Sequence, residues 1–365
     1  MKDIRKTLIA TALATLVTGY VMAEDRVVRV YNWSDYIAED TIANFEAATG
    51  IKVVYDVFDS NEVVEAKVLS GNTGYDIVVP TTDFMARQIK AGAYQKLDKS
   101  KLTNWKNLDT ELLATLQNYD PGNEYGVPYE WGTTGVGYNV AKVKAALGDQ
   151  ADAVIGSWDM VFKPENLKKL SSCGVAFLDA ESELFPAALQ YLGLNPSSEN
   201  AKDYDKATEL LMSLRDSVTY FHSSRYISDL ANGDICVAIG WSGDIFQAKA
   251  RAEEAGNGVE ISYYIPKEGA ALWSDMMMIP KDAQHVAEAH EFINYILQPK
   301  VSADITNYVM YGNPNTAARE FIDPEVLADP GIFPVAGTKL FTFKVLPQKI
   351  DRIRTRSWTK VRTGK

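Results

Sequence analysis

Apolar and polar positions alternate with two periods along this chain, and the change of period marks its elements. The opening of the chain differs: Leu8 to Val21 is one apolar stretch behind the bases Lys2, Arg5 and Lys6, ending in Val21-Met22-Ala23 before Glu24. A basic start, a short apolar run and small residues at a cut site predict a secretory signal peptide over residues 1–23. It is too short and too interrupted by Thr for a membrane span, and no Cys follows the cut to carry a lipid. Beyond it, Val27–Tyr31 alternates as a strand, and Ala38–Ala48 carries Ile42, Phe45 and Ala48 on one helical face with Gly50 as its stop. Ile51–Val57 reads as a second strand. Asp59-Ser60-Asn61-Glu62 resembles a capping box that opens a helix through Leu69, and Asp76–Val79 is a third strand closed by Pro80. Strand–helix–strand–helix–strand at this spacing predicts a parallel sheet wound with helices.

A second set follows. Val175–Leu178 and Ile235–Gly240 read as buried strands, with helices near Phe185–Leu192 and Ala207–Arg215. Between the sets, Tyr129 to Gly137 is rich in Gly and Thr, has no helical period, and suits a strand crossing between two lobes. Gly258–Ile265 is a candidate return crossing, and helices are expected near Val286–Leu297 and Ala303–Tyr308. The fold class is therefore α/β, with two lobes: residues 24–132 plus about 258–305, and residues 133–257 plus about 306–365. A ligand cleft belongs between them, at the carboxyl ends of the strands.

Composition narrows the function. The 342 residues after the signal hold 34 Lys and Arg against 47 Asp and Glu, a net charge of −13 that argues against nucleic-acid binding and favours the approach of a cation. Cys173 and Cys236 are an isolated pair in an exported protein. One disulfide, closing a loop of about 60 residues and worth ~3–4 kcal/mol, is the simplest reading; two buried thiols is the other. Catalytic motifs are weak. Gly240-Trp241-Ser242-Gly243 has Asp244 where a nucleophile elbow needs its last Gly, His285 and His290 are five apart, and Gly135-Val136-Gly137 lacks the third Gly of a dinucleotide fingerprint. No metal or cofactor is expected.

What recurs is an aromatic beside a carboxylate, just after a strand or turn: Trp33-Ser34-Asp35-Tyr36, Trp241-Ser242-Gly243-Asp244 and Trp273-Ser274-Asp275. Asp83 and Glu183 lie at comparable strand ends. Carboxylates suit ammonium groups, and aromatic faces suit both the methylenes between them and the cation itself, at about 0.5–2 kcal/mol per ring.

Taken together, Tyr31-Asn32-Trp33-Ser34-Asp35-Tyr36, Gly74-Tyr75-Asp76-Ile77-Val78-Val79-Pro80, Pro128-Tyr129-Glu130-Trp131-Gly132-Thr133-Thr134, the run Asn232 to Asp244 and Ile265-Pro266-Lys267-Glu268-Gly269 resemble the periplasmic polyamine-binding proteins of ABC importers, over the length of the chain after the signal. The resemblance implies a type II periplasmic-binding-protein fold that closes by a hinge, a Cys173–Cys236 disulfide, a periplasmic monomer, and delivery of spermidine or putrescine to an inner-membrane ABC permease. It carries an aromatic box over to Trp33, Tyr36, Trp241, Trp273 and Tyr311, and amine-anchoring acids to Asp35, Glu183, Asp244 and Asp275. Ser34 and Thr81 fall on ligand-bonding positions. In putrescine-selective members position 273 is usually Phe and position 83 is small. Trp273 and Asp83 thus resemble the spermidine-preferring members, with Asp83 expected either to meet a third ammonium or merely to cap the helix Phe84–Ile89. Glu130 is an extra acid where a neutral residue is common. The alternatives are a putrescine or mixed diamine binder, an exported amine-acting enzyme, or a ligand-loaded sensor. Lys344 to Lys365, with eight bases and one acid, reads as the solvated face of a terminal helix, and Met276-Met277-Met278 as strand core beside the site.

Overall fold

The computed structural model describes residues 26–365, so the signal-peptide expectation for residues 1–23 lies outside the described residues. Strand β1 (Val27–Trp33) runs parallel to both β2 (Lys52–Phe58) and β3 (Ile77–Val78). Their connections are the helices Thr41–Thr49 and Asn61–Ser70. Gly50 ends the first in the left-handed conformation at φ 70°, and the Ser60 hydroxyl opens the second by accepting from the Val63 N–H.

Strand β4 (Gly126–Asn139) then leaves this unit for the second one, which holds β5 (Val175–Phe177), β6 (Tyr220–Phe221), β7 (Val237–Trp241) and β8 (Ile261–Tyr264). Strand β9 (Ala270–Met278) brings the chain back, and the short β10 (Leu340–Phe341) lies beside it. The strands form one continuous sheet in the order β2-β1-β3-β9-β4-β7-β5-β6, with β8 on β4 and β10 on β9.

Strands β4 and β9 are the antiparallel pair that ties the lobes together. Gly126–Pro128 meet Met278–Met276 on one side, Trp131–Thr134 meet Ser274–Ala271 on the other, and the register shifts between, at Tyr129 and Glu130. A bulge at this point bends and twists the strand, as a crossing between two lobes requires. The return crossing is therefore in β9, later in the chain than Gly258–Ile265. Ile261–Tyr264 instead pairs antiparallel with Val136–Asn139 inside the second lobe.

Apolar side chains from both lobes form one core, with Phe45, Ile51 and Ile77 buried in the first and Trp158, Phe162, Phe177 and Phe185 in the second. Cys173 and Cys236 are joined by a disulfide with their Cα atoms 5.4 Å apart. The bond precedes the adjacent parallel strands β5 and β7 and staples their starting ends, opposite the ends that face the cleft. The terminal basic stretch is the helix Gln348–Thr363. Ile350, Trp358 and Val361 are buried on its inner face, while Lys349, Arg352, Arg356 and Lys360 are exposed.

Candidate functional site

All but one of the lining residues of the main cleft stand at a strand end, at the start of the helix that follows one, or on the crossing strand. Trp33, Ser34 and Tyr36 follow β1, and Asn61 opens the helix after β2. Thr81 caps the helix Thr82–Lys90 after β3. Glu183 lies in the first turn of the helix Glu181–Tyr191 after β5. Trp241 ends β7, and Asp244 lies in the first turn of the helix Ser242–Ala255. Trp273 and Asp275 come from β9, and Tyr311 follows the helix Pro299–Val309. These eleven residues line one narrow cavity of about 20 Å³ between the lobes.

The aromatic rings pack on one another across the gap. Trp33 meets Trp241 edge to face at 5.3 Å between ring centres, and Tyr36 meets Tyr311 at 5.0 Å. Trp33 is fixed by its indole N–H, which donates to the Val79 carbonyl at 2.8 Å. Two glycines allow Tyr311 to lie where it does: a Cβ on Gly132 would stand 2.8 Å from its ring, and one on Gly243 would overlap it. These contacts describe a closed cleft, with the tryptophans of the box almost wholly removed from solvent.

Three carboxylates stand in this apolar enclosure, each held by hydroxyls. Asp275 accepts from the Thr81 hydroxyl at 2.6 Å and from the Tyr36 hydroxyl at 2.9 Å. Asp244 accepts from Tyr226 at 2.6 Å and Tyr311 at 2.8 Å. Glu183 accepts from Thr134 at 2.7 Å. Burial pushes Asp244 and Asp275 up to about 7 and Glu183 up to about 8, and the hydroxyl bonds offset only part of that rise. A cation placed among them supplies the missing counter-charge. The carboxylates also answer a second need, because the N-termini of the helices after β3, β5 and β7 face the cleft and alone would repel a cation.

Ten of the twelve residues singled out in the sequence line this cleft: Trp33, Ser34, Tyr36, Thr81, Glu183, Trp241, Asp244, Trp273, Asp275 and Tyr311. The other two acids are elsewhere. Asp35 is exposed, in the left-handed region at φ 53°, and its carboxylate pairs with Arg251 of the opposite lobe at 2.6 Å. Its carbonyl accepts from Gln247 at 3.1 Å, so Asp35 fastens the closed lobes and does not line the cavity. Asp83 is buried in the first turn of Thr82–Lys90. Burial raises its pKa, while the Arg87 and Arg354 guanidiniums and the backbone amides at its helix start pull the other way. Asp83 is thus neither the cap, a position Thr81 holds, nor part of the cleft lining, where an acid for a third ammonium would have to stand.

Glu130 is 1 % exposed at the bulge of β4 and pushed well upward by burial, with only the Thr306 hydroxyl beside it at 3.4 Å. Asn61 was not among the expected residues. Its side chain donates to the Thr81 hydroxyl at 2.8 Å and accepts the Thr81 N–H at 3.0 Å, holding Thr81 toward Asp275. Its place directly after a strand is the signal that marked the others, hidden here by the capping-box reading. Among the described residues no cluster of His, Cys, Asp and Glu is arranged to hold a metal ion, and no helix is long and apolar enough to cross a membrane.

Two α/β lobes joined by crossing strands, with a closed cleft at their strand ends, define a binding protein that engulfs a small solute. The chain belongs to the bacterial extracellular solute-binding proteins, whose family profile it matches over residues 40–334. It is 57% identical to the putrescine-binding periplasmic protein SpuD of Pseudomonas aeruginosa strain UCBPP-PA14, with 100% of both chains covered. It is 56% identical to the putrescine-binding periplasmic protein PotF of Escherichia coli K12, over 98% of this chain and 97% of that one. Among solved structures it is similar to a spermidine/putrescine ABC transporter protein from Listeria monocytogenes, with a TM-score of 0.83 at 30% identity, covering 93% of this chain and 100% of that one. This is a periplasmic binding protein, and its chemistry is non-covalent capture.

The Asp35–Arg251 pair makes a first prediction. A half-exposed ion pair contributes about 0–1 kcal/mol, so Asp35→Asn and Arg251→Ala should each weaken ligand binding only a few-fold, chiefly through faster release. Stopped-flow fluorescence of the cleft tryptophans reads this directly. A hundredfold loss for Asp35→Asn alone would show that its carboxylate meets the ligand.

Proposed function

We propose that this protein captures an organic diamine of the putrescine type in the closed cleft and delivers it to an ABC permease of the inner membrane. The observation that carries this reading is the pair of hydroxyl-held carboxylates: Asp275 on the crossing strand β9 and Asp244 from the second lobe, with Tyr36 and Tyr311 directed to one each and in ring contact between them. Two poles with aromatic walls between suit two ammonium groups joined by methylenes.

Spermidine is the other polyamine the sequence pattern favours, on the strength of Trp273 and Asp83. Two findings weigh against it as the preferred ligand. Asp83 does not line the cleft, so the acid expected for a third ammonium is spent at its own helix start. Two relatives that share more than half of their residues with this chain, from Pseudomonas aeruginosa and Escherichia coli, are named for putrescine. Relatives named for both spermidine and putrescine, such as that of Salmonella typhimurium, share 35% over 92% of this chain.

The ranking is testable by thermal shift on protein stripped of ligand by unfolding and refolding. A ligand at a hundred times its Kd stabilises the folded state by about 2.7 kcal/mol. Putrescine should raise the midpoint at lower concentration than spermidine. The reverse order would return the assignment to spermidine and make Trp273 its determinant.

A further inference from the structure

Thr134 does not line the cleft, yet it joins two residues that do. It lies on β4 opposite Trp241 of β7 and Ala271 of β9, and is 1 % exposed. The Trp273 indole N–H approaches its hydroxyl oxygen at 3.1 Å, and that hydroxyl lies 2.7 Å from Oε2 of Glu183. An indole N–H can only donate. The Thr134 oxygen therefore accepts from Trp273, and its single proton is committed to Glu183. We propose that Thr134 is a positioning residue for ligand capture, whose hydroxyl, oriented by the Trp273 indole, aims the Glu183 carboxylate at the amine. The proposal rests on the amine-binding function above and adds a residue and a direction of influence to it: the side chain at 273 acts on the ligand through a hydrogen-bonded chain as well as through its ring.

The surroundings of Glu183 make that bond count. Asp83 on the helix Thr82–Lys90 and Glu62 on the helix Asn61–Ser70 both repel its charge, and the Tyr263 hydroxyl of β8 lies near enough to feel it. Asp275 on β9 is turned to Thr81 and Tyr36, and Arg354 on the terminal helix to Asp351 and Glu62. From the neighbouring helix Ala201–Leu214, Tyr204 packs on Phe185 by ring contact. Only Thr134 and the Trp241 indole favour the ionised form of Glu183 by hydrogen bonding. Without the Thr134 hydroxyl the carboxyl would hold its proton to higher pH and lose its aim.

The test measures putrescine affinity across pH 6–9 by calorimetry for the full chain and for Thr134→Val, Thr134→Ser, Trp273→Phe and the Thr134→Val/Trp273→Phe double variant. Thr134→Val should bind roughly tenfold more weakly at pH 7, the size of a lost hydrogen bond to a charged group, with its affinity rising at higher pH than in the wild type. Thr134→Ser should restore both properties. The two single losses should not multiply in the double variant, because both break one chain. Wild-type affinity and pH profile in Thr134→Val, no rescue by Ser, or fully multiplicative losses would each overturn the proposal. If Thr134→Val does not fold, Trp273→Phe reads the same chain from its other end, and an unshifted pH profile there overturns it. A wild-type protein that binds no amine at all would instead overturn the function on which the proposal rests.

Discussion

Asp275→Asn should abolish useful putrescine binding while making the empty protein more stable. Asp275 is 3 % exposed, and its carboxylate is held by Thr81 and Tyr36. An amide can still accept one of those hydroxyl bonds but offers no charge to an ammonium. Truncating one partner of a buried, hydrogen-bonded charge pair costs about 2–5 kcal/mol, so the affinity should fall at least about thirtyfold. The empty protein experiences the opposite. Burial raises this carboxyl to about 7, so ionising it at pH 8 opposes folding, and the neutral amide removes that penalty. The unfolding free energy from denaturant titration at pH 8 should rise by on the order of 1–3 kcal/mol. Asp244→Asn should behave alike, since Asp244 is equally buried and raised to about 7. Loss of binding together with loss of stability would mean that these acids hold the lobes together and do not serve the ligand.

The second large effect is a dependence on pH with opposite signs for stability and for binding. Asp244 and Asp275 near 7 and Glu183 near 8 all bind protons more tightly in the folded protein than in the unfolded chain, where carboxyls titrate near 4. Their contribution to stability is therefore fully present below about pH 4 and is lost as pH rises through 7 and 8. Ligand binding runs the other way. A diamine stays doubly charged over this range and needs the ionised carboxylates, so at lower pH it must expel their protons first. Putrescine affinity should fall about a hundredfold between pH 8 and pH 6 from Asp244 and Asp275 together. Binding at pH 7 should release about one to two protons, visible as a dependence of the measured heat on the ionisation enthalpy of the buffer. Heat independent of buffer at pH 7 would mean that the acids are already ionised in the empty protein.

How much of this was legible in the sequence differs by element. The first βαβαβ unit was, because its strands alternate or run apolar and its helices carry Gly50 and Ser60 at their ends. The position of the return crossing was not. Ile261–Tyr264 and Ala270–Met278 are both extended, and which of two strands crosses between lobes depends on pairing with β4, a property that neither segment carries alone. The short helices between Val140 and Leu170 were missed for a different reason: pieces of four to eight residues are too brief to show a period.

The lining of the cleft was well marked, since aromatic–acid pairs after strands converge wherever strand ends converge. The two acids that fell outside it show the limit of that rule. Asp35 and Asp83 have the right neighbours in sequence, but one turns to Arg251 across the lobes and the other to its own helix start and two arginines. Asn61 also follows a strand, but its capping-box context hid it; Thr134 had no signal, because it acts on the cleft through a hydrogen bond to another residue.

The central claim is that the closed cleft between the lobes is an amine site. Isothermal titration of refolded, ligand-free protein with putrescine at pH 8 tests it most directly. Saturation at one putrescine per chain, lost in Asp275→Asn, is the result this account predicts. No heat with putrescine and none with spermidine would contradict it, and the carboxylates of the cleft would then have to be assigned to a different cation.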